Sequence, residues 1–405
     1  MKKRSFWLGQ IGKAWEKRSV IWLSGVRRVG KTFLSQSLTD AEYFDCELPR
    51  IRVMLEDAEG FLRPLRGRTI ILDEIHRLQN PSELLKIAAD HYPEVRILAT
   101  GSSTLGASAK FKDTLTGRKE SLYLTPMLAQ DLVDFGQADG GAYEQSDGDA
   151  NGQADGQADL AKRLLFGGLP PFFLSETFPE RNFQDWVDGY WAKDIQELFH
   201  LERRHAFQRF FELLMAQSGG IFEASRFTAP CEVSRPTISN YLSVLEATYV
   251  AHIVRPFSSN KAAEVISAPK VYGFDTGFVC YYRGWRELRR EDMGLLWEHY
   301  VLNEIQGRMQ IRNVMYWRDK RGHEIDFVVA GRGRPPVAIE CKWSAAEFDP
   351  GNLKRFRERY PEGDSLVAAA DVEKPFARNY KGMDVKFVNL PSLIDALINI
   401  RGTET

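Results

Sequence analysis

The sequence predicts a multidomain α/β protein: a parallel sheet covered by helices, then a helical region, then a second α/β domain. In residues 19–127, short apolar strands alternate with longer mixed segments, which is typical of a parallel sheet with helices on its faces. Residues 205–257 show the pattern of three helices and a strand, and strands and helices alternate again from residue 270 onward. A chain of 405 residues is long enough to bury two or three separate cores.

The composition excludes several classes of protein. With 43% apolar and 27% charged residues, the chain is unlike disordered, collagen-like or coiled-coil proteins. Its net charge of −1 means that an anionic partner must be met by local basic patches. The four cysteines form no CxxC pair, and neither a signal-peptide-like stretch nor an 18-residue apolar run is present. We therefore expect a reducing, cytoplasmic setting, no structural zinc site and no contact with a membrane.

Five predicted strands build the first sheet. They cover residues 20–23, 51–55, 69–72, 96–99 and 121–124. After them, GQADG-like repeats with acidic but no basic residues interrupt the pattern. Such a segment buries too little apolar surface to offset its ordering entropy, so we interpret it as an acidic low-complexity insertion.

The first chemical motif is GVRRVGKT, from Gly25 to Thr32, which matches the phosphate-binding pattern GxxxxGK[ST]. It follows a predicted strand and precedes an apolar helical stretch. Glycines let the backbone N–H groups face the phosphates, Lys31 reaches the β- and γ-phosphates, and Thr32 holds Mg²⁺. The motif thus predicts ATP and Mg²⁺ as cofactors. The predicted nucleotide contacts are Gly25, Arg27, Arg28, Val29, Gly30, Lys31, Thr32 and Phe33.

Three further features agree with an ATP site. Asp73 and Glu74 end an apolar strand, so the first can complete the Mg²⁺ shell and the second can polarise the attacking water. Ser102 follows the next strand and either senses the γ-phosphate or caps a helix. Arg118, just before the last strand, either reaches the nucleotide of a neighbouring subunit or forms a surface salt bridge. Five strands with these ends predict an AAA+ type core, and therefore a homo-oligomer.

A helix-turn-helix is predicted over residues 222–245. Ser234 suits an N-cap and Pro236 suits the first turn, so the second helix begins cleanly. A strand over residues 249–254 and a return near Val265 would form a wing. The polar face of the second helix carries Arg235, Thr237, Ser239 and Asn240. These residue types can contact phosphates or base edges, and we predict DNA contacts by Arg235, Thr237 and Asn240; a plain packing module is the alternative.

The last part of the chain contains the pattern D…ExK. Asp326 lies on one predicted strand, and Glu340 and Lys342 project from one face of the next because the strand period is two. Two carboxylates can bind Mg²⁺ while a lysine orients the attacking water. Glu298, on the preceding helix, is the predicted further carboxylate, with Glu304 as the competing candidate. Nuclease activity, metal-assisted DNA binding and a cluster of salt bridges all remain open at this point.

Together these segments resemble one family. The segments are GVRRVGKT, ILDEIHRL, ATGSS, LTGR, GGLP, VYGFDTG, GHEIDFVV and IECK. The chain resembles bacterial and archaeal AAA+ ATPases that join an N-terminal ATPase to a winged helix and a C-terminal restriction-endonuclease-like domain, PD-(D/E)XK, of unknown function. The resemblance implies ATP hydrolysis through Gly25, Gly30, Lys31, Thr32, Asp73 and Glu74, with Arg118 as a candidate trans-acting finger.

We predict five parts of the chain. They are an AAA+ P-loop ATPase core (1–130), the acidic insertion (131–159), a helical lid or linker (160–204), a winged helix-turn-helix (205–268) and the restriction-endonuclease-like domain (269–405).

The favoured functional hypothesis is an ATP-hydrolysing, DNA-binding motor or remodeller. It would work as a homo-oligomeric ring, such as a hexamer, on duplex, branched or recombining DNA, including Holliday junctions. An ATP-regulated, Mg²⁺-dependent nuclease and a nucleotide-dependent signalling switch with a protein partner are the alternatives.

Overall fold

The computed structural model describes residues 3–101, 111, 114–136, 159–199, 201, 203–258, 268–331 and 333–401. The chain forms two sheets that are flanked by helices, one in the first third and one in the second half. The α/β class with an N-terminal five-stranded parallel sheet, a helical region and a further sheet domain is therefore confirmed. Most of the predicted acidic insertion, residues 137–158, lies outside the described residues.

The first sheet is parallel throughout, in the order β2-β3-β4-β1-β5. Its strands are β1 (Val20–Ser24), β2 (Ala41–Asp45), β3 (Thr69–Asp73), β4 (Arg96–Thr100) and β5 (Lys119–Tyr123). The helices of this part are α1 (Ser5–Lys17), α2 (Lys31–Gln36), α3 (Pro49–Met54), α4 (Ala58–Leu62), α5 (Pro81–His91) and α6 (Ala129–Asp134). Because all five strands point the same way, their carboxyl ends lie along one edge.

Alternate residues of the central strands are buried on opposite faces of the first sheet. Ile21 and Leu23 of β1 join one core with Trp7 of α1, whereas Val20 and Trp22 join a second core. A strand that is covered on both faces has a nearly continuous apolar sequence, as β1 does. This burial explains why the three central strands, β1, β3 and β4, are evident in the sequence.

The strand predicted over residues 51–55 is wrong. These residues lie in and just after α3, and the second strand of the sheet is β2. Pro49 begins the helix, a position that its fixed φ favours, and Val53 is 65% exposed rather than buried. β2 is an edge strand whose residues are all only half-buried, so its sequence carries little apolar signal.

The middle of the chain is mainly helical. Its helices are α7 (159–166), α8 (Pro170–Phe173), α9 (Glu180–Tyr190), α10 (Gln196–Phe199), α11 (Arg204–Ala216), α12 (Ser225–Cys231) and α13 (Arg235–Ala247). A single π-helical turn, Trp191–Ile195, joins α9 to α10. Ser234 caps α13 as predicted, because its side chain accepts a hydrogen bond from the Thr237 N–H at 3.4 Å.

Three short strands accompany α11–α13. They are β6 (Gly220–Ile221), β7 (Ala251–Pro256) and β8 (Lys270–Gly273). β8 pairs antiparallel with both β6 and β7. Val265, near which the return strand was predicted, lies outside the described residues. The order is therefore helix, strand, helix, helix, strand, strand.

The remaining chain extends this small sheet to nine strands, in the order β13-β14-β12-β11-β10-β9-β7-β8-β6. The added strands are β9 (Met315–Arg318), β10 (Glu324–Val329), β11 (Val337–Lys342), β12 (Ser365–Ala369), β13 (Phe376–Tyr380) and β14 (Met383–Val388). The accompanying helices are α14 (Thr276–Arg283), α15 (Arg290–Met309), α16 (Gly351–Arg359) and α17 (Leu390–Arg401). A parallel pairing of β7 with β9 joins the two parts of the sheet.

The helix α15 holds the first domain against the second sheet. Ala129 N–H donates to Glu304 Oε1 at 2.5 Å, and Gln310, just after α15, exchanges two hydrogen bonds with the backbone of Tyr123. In the described part of the chain, every helix is too short or too polar to span a bilayer.

Candidate nucleotide-binding site

A cavity of about 970 Å³ lies beside the carboxyl ends of the first sheet, between residues 25–33 on one side and α8 and the π-helical turn on the other. This volume is at the upper end of the range for ligand pockets. Of the predicted site residues, those that line it are Gly25, Arg27, Arg28, Gly30, Lys31, Thr32, Phe33, Asp73 and Glu74. Arg4, Tyr43, His76, Pro170, Lys193 and Asp194 line it as well, although no sequence pattern assigned them to the nucleotide site.

The loop before α2 has the backbone that its glycines allow. Gly30 has a φ of 100°, and a Cβ on Gly25 would lie 2.6 Å from the carbonyl oxygen of Leu124. Lys31 Nζ donates to the carbonyl oxygens of Gly25 at 2.9 Å and Val26 at 3.3 Å. Burial lowers the pKa of Lys31, although nearby carboxylates, first Glu74, oppose the shift. The loop thus presents a half-buried amine and backbone N–H groups to a phosphate.

Asp73 is held by three hydroxyl groups. Thr32 Oγ1 donates to its Oδ2 at 2.8 Å, Tyr43 Oη donates to the same oxygen at 2.6 Å, and Thr100 Oγ1 donates to Oδ1. Asp73 is only 3% exposed, and burial together with this contact raises the pKa of Tyr43. Mg²⁺ usually takes one or two protein oxygens besides phosphate and water, so Thr32 and Asp73 fit such an ion.

Glu74 stands at the turn after β3, where its φ of 54° is left-handed. Its carboxylate lies 3.1 Å from His76 Nδ1. Burial alone would raise the pKa of Glu74, but the hydrogen bond from His76 and the charge of Lys31 outweigh burial and lower it. The carboxylate is therefore ionised near neutral pH, as a group that orients an attacking water must be.

Two residues far away in the sequence support the loop. Arg4 is buried and donates to the carbonyl oxygen of Val29 at 3.0 Å and to Asp131 Oδ2 at 2.5 Å. Trp186 Nε1 donates to the carbonyl oxygen of Arg27 at 2.9 Å. Neither residue belongs to a recognisable sequence motif, so only the tertiary contacts reveal this role.

Two predicted nucleotide-site residues lie away from the cavity. Val29 is fully buried and does not line the cavity. Arg118 is 36% exposed and pairs with Asp90 of the same chain at 2.7 Å, outside the cavity. Ser102 lies outside the described residues. Within one chain, Arg118 thus forms the surface salt bridge that was one of its two predicted roles.

The predicted DNA-contacting residues lie on α13. Arg235 and Asn240 are exposed, together with Ser239. Thr237 is half-buried, and its hydroxyl contacts Ser234 Oγ at 2.8 Å within the cap. Two of the three predicted contacts are therefore open to a ligand, whereas Thr237 takes part in the cap.

The predicted D…ExK residues lie together between α15, β10 and β11. Lys342 Nζ contacts Glu340 Oε2 at 2.7 Å and lies 3.9 Å from Asp326 Oδ2. Asp326 also accepts a hydrogen bond from the Cys341 N–H at 2.7 Å. Glu340 is 1% exposed, and its Oε1 has no hydrogen-bond partner among the described residues. Burial and the charge of Asp326 raise the pKa of Glu340 to about 8.

Glu298 joins this cluster, whereas Glu304 is engaged with α6. Lys270 Nζ lies 3.1 Å from Glu298 Oε1 and 2.6 Å from Glu324 Oε1. Tyr272 Oη also donates to Glu298. Burial and then the charge of Asp326 raise the pKa of Glu298 to about 7.

No sequence pattern assigned Lys270 or Tyr272 of β8 to this cluster, although Tyr272 belongs to the segment VYGFDTG. Within the described ranges, no three His, Cys, Asp or Glu side chains are arranged to hold one metal ion.

Comparison with protein families matches three regions of the chain. Residues 17–133 match an AAA domain, residues 157–289 match a domain of unknown function (DUF8612), and residues 293–393 match a second domain of unknown function (DUF4143). Uncharacterized proteins of Mycobacterium bovis and Mycobacterium tuberculosis are each 25% identical over 339 residues, which is 80% of this chain and 71% of theirs.

Several solved structures overlap with the chain in part. A DNA polymerase III gamma subunit-related protein of Thermotoga maritima has a TM-score of 0.25 at 13% identity and covers 60% of this chain and 97% of its own. The DNA clamp loader delta protein of Bacillus subtilis has a TM-score of 0.27 at 11% identity, and the match covers 59% of this chain and 88% of that protein. Cdc6p of Pyrobaculum aerophilum has a TM-score of 0.24 at 12% identity, and the match covers 69% of this chain and 92% of that protein. The chain therefore combines an N-terminal AAA domain with a C-terminal DUF4143 domain, an assignment that rests on the matched families.

Proposed function

We propose that this protein is an oligomeric ATPase that acts on DNA as a motor or remodeller, with branched or recombining DNA as its substrate. One observation carries the ATPase part: Lys31, Thr32, Asp73 and Glu74 line a single cavity at the edge of a parallel sheet. The DNA part is supported by the exposed polar side chains of α13.

Each residue has a distinct task in hydrolysis. The loop N–H groups and Lys31 bind and orient the phosphates, and Thr32 and Asp73 would hold Mg²⁺. Bound Mg²⁺ neutralises charge on the phosphate oxygens. Glu74, which is ionised because of His76 and Lys31, orients the attacking water and accepts its proton. Arg118 would stabilise the transition state in a neighbouring subunit of a ring.

The DNA-binding proposal rests on the order of α11, β6, α12, α13, β7 and β8, which fits a winged helix. In such a unit the second helix of the helix-turn-helix enters the major groove. Arg235 and Asn240 are exposed on that helix, so we assign them to DNA contact, with Thr237 ordering its first turn. The five predicted domain limits are part of this proposal, except that the winged helix extends beyond residue 268 to include β8.

A nuclease is the second candidate. The order α15, β9, β10, β11, α16, β12 fits a restriction-endonuclease-like core, and Asp326, Glu340 and Lys342 lie close together in it. Incubating plasmid and branched DNA with Mg²⁺ or Mn²⁺ tests this function. Cleavage by the wild type but not by Asp326→Ala would establish it. If neither protein cuts DNA, the domain binds DNA without cleaving it.

ATP turnover with and without duplex or four-way junction DNA tests the favoured function. We expect DNA to stimulate turnover, Lys31→Ala to abolish it, and Glu74→Gln to bind ATP without hydrolysis. Lys17→Ala, which changes an exposed lysine of α1, is the matched control.

Mass measurement with ATP and junction DNA gives the subunit number. Turnover that no DNA alters would refute the motor on DNA while leaving the ATPase intact.

For the DNA contacts, Arg235→Ala combined with Asn240→Ala should weaken DNA binding and its salt dependence. Arg378→Ala, which removes an exposed arginine of β13, is the charge-matched control. Unchanged binding in the double variant would favour the packing role for the helix-turn-helix.

A further inference from the structure

Two charged residues of the π-helical turn face the phosphate-binding loop. Lys193 and Asp194 line the nucleotide cavity from the helical region, on a segment that no sequence motif marks. π-Turns within helices often occur at functional sites. The π-turn is therefore a candidate part of the functional site.

Asp194 holds a residue of the loop itself. Its Oδ2 lies 3.3 Å from Arg27 Nε, and the two side chains are 12% and 28% exposed. Trp186 Nε1 binds the carbonyl oxygen of the same arginine at 2.9 Å. Arg27 is thus attached to the helical region through both its side chain and its backbone.

The charged side chains of the π-turn and the loop act on a bound nucleotide in opposite directions. Burial lowers the pKa of Lys31, and the carboxylate of Asp194 is one of the charges that oppose this shift. A triphosphate brings several negative charges next to that carboxylate, in a partly buried site where screening by water is weak. The same charges attract Arg27 and Lys193.

We propose that the phosphates of ATP replace Asp194 as the partner of Arg27, and that Lys193 contacts them from the opposite wall. This inference rests on the proposed ATPase function. Asp194 then opposes nucleotide binding while Lys193 favours it, and the π-turn distinguishes a triphosphate from a diphosphate.

A contiguous set of contacts leads from this turn to α13. Tyr190, directly before the turn, is buried and its hydroxyl lies 2.6 Å from Thr248 Oγ1. Thr248 is the C-cap of α13, the helix that carries Arg235 and Asn240. A movement of the π-turn on ATP binding would therefore reach the proposed DNA-contacting helix.

Equilibrium binding of fluorescent ATP and ADP to the full chain tests the proposal. We expect Asp194→Asn to tighten ATP binding about tenfold and ADP binding less, because a like charge and a competing ion pair are removed. Lys193→Ala should weaken ATP binding more than ADP binding. Asp185→Asn, an exposed carboxylate of α9 outside the cavity, is the control and should match the wild type.

Hydrogen exchange of the wild-type protein gives a second test that needs no variant. Amides of residues 191–195 and 235–247 should change their exchange rates with a non-hydrolysable ATP analogue but not with ADP. If the wild type binds no nucleotide, the proposed ATPase function fails. If it binds ATP but both variants equal the control, or if exchange is the same with both nucleotides, this inference alone is refuted.

Discussion

The hydroxyls of Tyr43 and Thr32 donate to the same oxygen, Oδ2 of Asp73, at 2.6 and 2.8 Å. Tyr43 lies on β2 and Thr32 on α2, so the edge strand and the phosphate-binding loop meet at this carboxylate. Hydrogen bonds to a charged acceptor are stronger than those to a neutral one. The carboxylate is therefore oriented before any ion arrives.

Tyr43→Phe should lower both stability and the Mg²⁺ requirement. Loss of a hydrogen bond to a buried carboxylate costs about 1.5–3 kcal/mol, which urea unfolding would measure. The tyrosine hydroxyl also competes for Oδ2, an oxygen that would hold Mg²⁺, so half-maximal ATPase activity should need less Mg²⁺ in the variant. A higher Mg²⁺ requirement in the variant would contradict this competition.

Lys270→Met should destabilise the fold by about 3 kcal/mol in urea unfolding, because it removes a buried cation and leaves the partly buried Glu298 and Glu324 without the partner that they share. The double variant with Glu298→Gln should regain part of this loss. Lys386→Met breaks a solvent-exposed pair with Asp364 and should cost less than about 1 kcal/mol. Similar losses for Lys270 and Lys386 variants would show that burial does not matter.

Stability should decline as pH rises from about 6.5 to 8. The pKa values of Glu298 and Glu340 are raised to about 7 and about 8, so the folded state holds protons that the unfolded state has released. This contribution is full below the unfolded value of 4.5 and is lost as pH passes the folded values. His252 and His299, whose pKa values are lowered to about 3 and 4, contribute to the slope only below about 6.5.

Urea unfolding across this pH range tests the assignment. Glu340→Gln should flatten the decline, since an amide does not titrate. An equally steep decline in the variant would assign the slope to other groups.

Arg118 distinguishes a shared active site from a self-contained one. If it acts on the neighbouring subunit, Arg118→Ala should retain ATP binding but lose turnover. Mixing it with Lys31→Ala should then restore a fraction of activity, because some intact loops would face intact arginines. Full turnover in Arg118→Ala alone would show that its surface pair with Asp90 is its whole role.

Local sequence patterns were sufficient to predict a feature when a single short segment forms it. The phosphate-binding loop is recognisable because its backbone curvature needs Gly25 and Gly30 at fixed spacing. Buried strands such as β1 are recognisable because both faces are apolar. The edge strand β2 is only half-buried and has a weak apolar pattern, so the sequence does not reveal that Tyr43 contacts Asp73.

The sequence by itself determined the α/β class, the phosphate-binding motif and the D…ExK pattern, because each depends on neighbours within a few residues. Only the tertiary structure decided that Arg27 meets Asp194, which is 167 residues away in the chain. It also decided that Lys270 of β8 enters the cluster of Glu298 and Glu324. These partners are brought together by sheet order and helix packing, which depend on the burial of apolar surface across the whole chain and leave no local pattern in the sequence.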